Sequence, residues 1–245
     1  MKLVKFLVVS LILFSYIIVS SIINFCTRHN RKISSKIASF YATVLLKVLN
    51  IRVKVNNVYE DDFLLVSNHL SYIDILVLSS VCPSIFITSK EIEQENFLGL
   101  LSRLNNSVFV ERRNYSTLLK DNEKIISVLN SKIPVILFAE GTSSNGDQVL
   151  PFKSSLFYCV EKYDIIVQPV CIKYKKINNE PVTQKNRDSI YYYGSMNFFP
   201  HFWNLFSLKS IDIEITFLKD TYSNSRKESC KLAYQQISKH YMEPS

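Results

Sequence analysis

Residues 63–74 read Phe-Leu-Leu-Val-Ser-Asn-His-Leu-Ser-Tyr-Ile-Asp, and they decide the fold. A short apolar run ends on small polar residues, passes through His69 and enters an apolar helix with Asp74 in its first turn or so. That is the signature of a buried strand leading through a polar turn into a helix. The pattern recurs along the chain. Further candidate strands lie at 85–88, 107–110, 135–138, 165–170 and 211–217. Leu118, Leu119, Ile125, Ile126 and Leu129 mark one face of a helix with Asn114 or Ser116 as its cap. Alternation of this kind predicts an α/β domain, with a mainly parallel sheet flanked by helices. The polar stretch 175–189 reads as an exposed loop and 225–242 as a closing helix.

In such a sheet, ligands gather beyond the carboxyl ends of the strands. Three polar clusters fall there: His69 with Asp74, Glu111 with Arg112 and Arg113, and Glu140-Gly141-Thr142. A carboxylate five residues after a histidine can fold back on the imidazole, fix its tautomer and stabilise the imidazolium formed when the ring takes a proton. A capping Asp beside an unrelated surface His would give the same spacing. Arg112 can bind a phosphate through its planar fork, or it can be one of a solvated charge pair. Gly141 permits a tight turn that exposes backbone N–H groups and the Thr142 hydroxyl to an anion, although an ordinary turn with a capping Thr reads alike.

Composition narrows the partners. The net charge of +8 over 245 residues fits nucleic acid, anionic headgroups or phosphorylated substrates. No nucleic-acid recognition motif accompanies the charge, so nucleic acid is not an expected partner. The five cysteines are scattered and odd in number, which argues against a disulfide framework, and no Cys/His cluster suggests a metal.

Residues 6–27 carry no charge and are close to the roughly 20 residues that a helix needs to cross the hydrocarbon layer. A transmembrane helix over about 6–27 is expected. A signal peptide behind Lys2 and Lys5 competes with it, but the apolar run continues through Ile22, Ile23 and Phe25 without a clear cleavage boundary. Residues 34–49 repeat apolar positions at helical spacing, as an interfacial amphipathic helix or a core helix would. The chain is therefore divided into a membrane anchor over 1–50 and the main domain over 51–245. A slight excess of Lys and Arg after the span places that domain on the cytoplasmic face of a single-pass anchor.

Together the clusters resemble the 1-acyl-sn-glycerol-3-phosphate acyltransferase family over roughly 53–217. His69 to Asp74 matches its His-x4-Asp block, and Thr88-Ser-Lys-Glu-Ile92 with Leu98 and Gly99 its lysine segment. Phe109, Glu111 and Arg112 match its Phe-x-acidic-Arg block. Glu140-Gly141-Thr142, Lys153 and the stretch around Pro169 match the blocks that follow. The resemblance implies catalysis by His69 and Asp74, with Lys90, Arg112, Glu140, Gly141, Thr142 and Lys153 at the substrate. It implies a bilayer and a lysophospholipid acceptor as partners, an acyl-CoA or acyl-carrier-protein thioester as cosubstrate, and no cofactor. The acceptor it implies first is 1-acyl-glycerol-3-phosphate. Ala139, Ser143 and Ser155 depart from the family's Pro, Arg and Gly. The missing Arg removes a phosphate-binding charge and brings another lysolipid, such as a lyso-aminolipid, into consideration. A non-catalytic lipid-binding protein is the alternative from another class, and acyl transfer to a lysolipid separates the two.

Overall fold

The computed structural model describes residues 2–58, 64–111, 118–163 and 165–243. The expected strand start at Phe63, the cap at Asn114 or Ser116, and Arg112 with Arg113 lie outside them. The chain opens with a helical hairpin, α1 (Lys2–Cys26) and α2 (Arg31–Leu49). Arg28 and His29 make the turn at positive φ, and the Asn30 side chain accepts from Ile33 N–H to cap α2. Asn50, left-handed at φ 56°, ends it. By length and composition α1 is long and apolar enough to cross a membrane. It is also packed on the body along its length. Val9, Tyr16 and Asn24 are buried, Lys5 Nζ donates to the Leu208 carbonyl at 2.8 Å, and Asn24 Nδ2 donates to that of Leu104 at 2.9 Å. The opposite face, including Leu7, Leu11, Phe14 and Ile22, is exposed.

The body follows as β1 (Ile51–Asn56), β2 (Leu64–Ser67), α3 (Ile73–Val81), β3 (Ile85–Ser89), α4 (Lys90–Gln94), α5 (Asn96–Leu104), β4 (Val108–Val110), α6 (Leu118–Leu129) and β5 (Val135–Phe138). Then come α7 (Tyr158–Tyr163), β6 (Val167–Ile177), β7 (Glu180–Pro181), α8 (Phe198–Leu205), β8 (Ile211–Phe217) and α9 (Arg226–Met242). The strands form one sheet in the order β1-β8-β6-β2-β5-β3-β4, with β7 on β6. Pairing is parallel except where β6 meets β8 and β7. The expected fold class is the observed one.

Side-chain alternation puts β2 to use on both faces. Leu64 and Val66 enter one hydrophobic core and Leu65 the other, and all three are fully buried. β2 lies between β5 and β6, so the turn after Ser67 emerges at the centre of the sheet edge where the parallel strands end. Strand bounds shift: β3 ends at Ser89, one residue later than expected, and β6 begins at Val167, two later. β4 is one residue shorter than expected, and β6 runs on to Ile177 through part of the supposed loop. The extension of β6 has a physical cause: the antiparallel partner β8 pairs with it as far as Ile177, giving its backbone groups partners well past the end of β2.

Candidate active site

Asn68 sets the exit from β2. Its side chain replaces a backbone pair, accepting from Ile172 N–H at 2.8 Å and donating to the Ile172 carbonyl at 3.0 Å. That double bond clamps the turn to β6 and turns the next residue, His69, over the sheet edge. Its imidazole stacks on Phe138, with ring centroids 4.0 Å apart and planes inclined at 15°. Phe138 is the last residue of β5, so the ring plane is set by the neighbouring strand.

His69 Nδ1 lies 2.9 Å from Asp74 Oδ2. The same oxygen accepts from Leu70 N–H at 2.7 Å and Ser71 N–H at 2.9 Å, while Asp74 Oδ1 accepts the Tyr174 hydroxyl at 2.7 Å. Asp74 is fully buried, and a buried carboxylate persists only when its lone pairs are matched by donors. An oxygen serving two N–H donors acts as an acceptor towards the ring as well. Nδ1 is therefore the protonated nitrogen, and Nε2 is left with its lone pair outward. The His69 side chain is 18% exposed, so that lone pair can meet a substrate.

Glu140 follows β5 and turns its carboxylate to the backbone. It is buried, accepting from His69 N–H at 2.7 Å through one oxygen and from Leu150 N–H at 2.9 Å through the other. It thus joins the loop after β2 to the loop after β5. Burial is the main influence on its carboxyl, which is pushed up to about 7; the two N–H donors oppose the shift and the Asp74 charge adds to it.

Gly141 stands at φ +75°, a conformation that a side chain would strain. A Cβ there would come within 2.8 Å of Lys153 Nζ, so the ammonium group lies directly over the turn. Thr142 is exposed beside it. Ser143 Oγ donates to the Tyr192 carbonyl, Ser144 N–H to that of His69, and Tyr192 N–H to that of Leu70. These bonds stitch the loops after β2 and β5 to the segment before α8. Lys90 opens α4 at the end of β3 and is partly buried; Ser89 before it caps that helix and lines the cavity described next. Arg112 lies outside the described residues.

A cavity of about 380 Å³ extends from His69, Gly141, Thr142 and Ser143 into the body. Its walls are Phe86, Ile87 and Phe138 from the sheet, Leu98 and Leu101 from α5, and Tyr41, Ala42 and Leu45 from α2. Val9, Leu13 and Tyr16 of α1 also line it. A polar mouth with a base, and with Lys153 behind it over Gly141, leading to an apolar interior suits a reacting group attached to a hydrocarbon chain.

Sequence reasoning brought His69, Asp74, Glu140, Gly141, Thr142 and Lys153 to one neighbourhood. It missed Asn68, Phe138, Tyr174 and the lining from α1. Tyr174 carries no motif, and nothing in its spacing from Asp74 could have paired them.

Residues 50–173 match the family model described as Acyltransferase. The chain is 29% identical over 207 residues to the lyso-ornithine lipid O-acyltransferase of Brucella abortus, covering 81% of this chain and 78% of that one. It is 32% identical over 205 residues to the protein of the same name from Rhizobium meliloti, covering 78% and 70%. With the 1-acyl-sn-glycerol-3-phosphate acyltransferase of Neisseria gonorrhoeae it shares 28% identity over 155 residues, covering 63% and 58%. The crystal structure of the 1-acyl-sn-glycerophosphate acyltransferase of Thermotoga maritima superposes over the full length of both chains with a TM-score of 0.67 at 19% identity, a likeness of fold.

Proposed function

This chain belongs to the acyltransferase family, and from that premise we propose that it is a membrane-anchored O-acyltransferase carrying a fatty acyl group from a thioester to the free hydroxyl of a lysolipid. The observation that carries the reading is the His69–Asp74 hydrogen bond at the mouth of the apolar cavity. In the reaction, Nε2 of His69 takes the proton of the acceptor hydroxyl as its oxygen attacks the thioester carbonyl. The tetrahedral intermediate then expels the thiolate, which recovers that proton from the imidazolium. Asp74 holds the ring and offsets its charge throughout, and the acyl chain occupies the cavity.

The acceptor we favour is a lyso-aminolipid of the lyso-ornithine type. Ser143 supports it, because its hydroxyl is committed to the Tyr192 carbonyl and offers no cation to a phosphate. So does the greater coverage by the Brucella abortus and Rhizobium meliloti proteins of that name. Lys153 over Gly141 favours a second reading, with 1-acyl-glycerol-3-phosphate as acceptor. The donor is a coenzyme A or carrier-protein thioester. The exposed face of α1 is the membrane anchor, with the body on the cytoplasmic side.

One assay tests the class and the acceptor together. Purified full-length protein is given a radiolabelled acyl thioester with each lysolipid, in both thioester forms. We expect labelled product on the lyso-ornithine lipid, and a fall of roughly 10²–10⁴-fold in His69→Ala, the usual worth of general-base catalysis. Labelled phosphatidic acid alone would select the second acceptor, and an unchanged rate in His69→Ala would overturn the mechanism.

A further inference from the structure

The sequence of α8, Phe-Phe-Pro-His-Phe-Trp-Asn-Leu, holds no charged residue, and its apolar side chains point two ways. Phe198, Phe202 and Leu205 line the cavity. His201 is buried, its Nδ1 2.9 Å from the Tyr72 hydroxyl. On the other side Phe199 is 72% exposed and Trp203 40%. Large apolar side chains on a helix belong in a core or in lipid, and α8 puts only Phe198, Phe202 and Leu205 in the core, leaving Phe199 and Trp203 outside beside the exposed Asn204.

The outward side of α8 does not stand alone. Trp203 meets the first turns of α1, its ring 5.1 Å from that of Phe6 and with Lys2 Nζ 4.9 Å above it. Leu3, Val4 and Leu7 on those turns are exposed by more than half, so Trp203 adjoins the apolar face of α1, and Phe199 lies one helical turn away on the same side of α8. An indole beside a lysine at the margin of an apolar surface is what the headgroup level of a bilayer selects, and the net charge of +8 suits anionic lipid.

We propose that α8 docks on the phospholipid bilayer as an interfacial helix beside α1, with Phe199 and Trp203 at the boundary between headgroups and acyl chains. The proposal rests on the membrane-anchored reading above. It makes α8 the wall between the bilayer and the cavity, with one side in each. A lipid tail passing from the membrane towards His69 then has only this helix and α1 to skirt, never bulk water.

Trp203 is the only tryptophan in the chain, which provides the test. Full-length protein is reconstituted into phosphatidylcholine–phosphatidylglycerol vesicles, with and without lipids brominated on the upper acyl chain. We expect the bromolipids to quench Trp203 emission about twofold and aqueous iodide to do little, as for an interfacial indole. Phe199→Asp should reverse most of the bromolipid quenching and slow turnover of vesicle-borne lysolipid severalfold. Phe199→Leu should preserve both. In detergent, Phe199→Asp should match the wild type in thermal midpoint and turnover, which shows that its fold and chemistry are intact. Iodide quenching in vesicles with none by bromolipid would overturn the proposal, as would bromolipid quenching that Phe199→Asp leaves unchanged. A concentration-dependent shift of Trp203 emission without lipid would overturn it in favour of a second copy of the chain. Protein that washes off the vesicles altogether would instead refute the anchor reading.

Discussion

Two buried carboxylates hold the candidate site, and they work differently. Asp74 accepts four hydrogen bonds and addresses the imidazole; Glu140 accepts two and addresses only backbone. The consequence for Glu140 can be measured as a dependence of stability on pH. Its carboxyl is pushed from an ordinary 4.5 up to about 7, chiefly by burial. Between those values the folded chain keeps a proton that the unfolded chain has released. Stability must therefore fall as pH rises across that window and level off above about 7. The change is at most on the order of 3 kcal/mol. Glu140→Gln has no titrating group there, so this part of the slope should vanish when denaturant melts at pH 5 and pH 8 are compared. A wild-type slope that the variant reproduces would place the titration elsewhere.

Among the elements, β6 does the most to build the site. It flanks β2, receives the clamp from Asn68 at Ile172, and carries Tyr174 two residues further on to close the last acceptor of Asp74. The extension of β6 past β2, which its pairing with β8 supports, is what brings Tyr174 within reach. Tyr174→Phe would leave Asp74 Oδ1 buried without its hydroxyl donor, at a cost of about 1–3 kcal/mol in stability. The His69 Nδ1 bond uses the other oxygen, so activity at a temperature where the variant is folded should fall far less than in His69→Ala. Thermal midpoints beside turnover of the folded variant decide it, and a loss of activity equal to that of His69→Ala would mean that Tyr174 takes part in the chemistry itself.

At the scale of the whole molecule, the N-terminal hairpin helps to build the site, because α1 and α2 supply walls of the cavity that reaches His69. Ala42 of α2 is buried in that wall. Ala42→Phe should fill part of the cavity, lowering turnover with long acyl donors while sparing short ones, and a panel of thioesters of graded length reads this directly. Uniform loss over all lengths would point to damaged packing, since overfilling a close-packed region commonly costs about 1–3 kcal/mol.

The residues themselves determined the α/β class, the strand that carries His69, the clustering of polar blocks at strand ends and the apolar first helix. These are local properties: side-chain period, glycine and cap placement, and lengths of apolar runs are written within a few consecutive positions. Only the tertiary structure decided that Glu140 ties two loops together, that Tyr174 answers Asp74 across 100 positions of chain, and that α1 lines the reaction cavity. Contacts of that kind are selected by the packing of layers and by the need of every buried polar group for a partner, and neither constraint leaves a periodic mark on the chain.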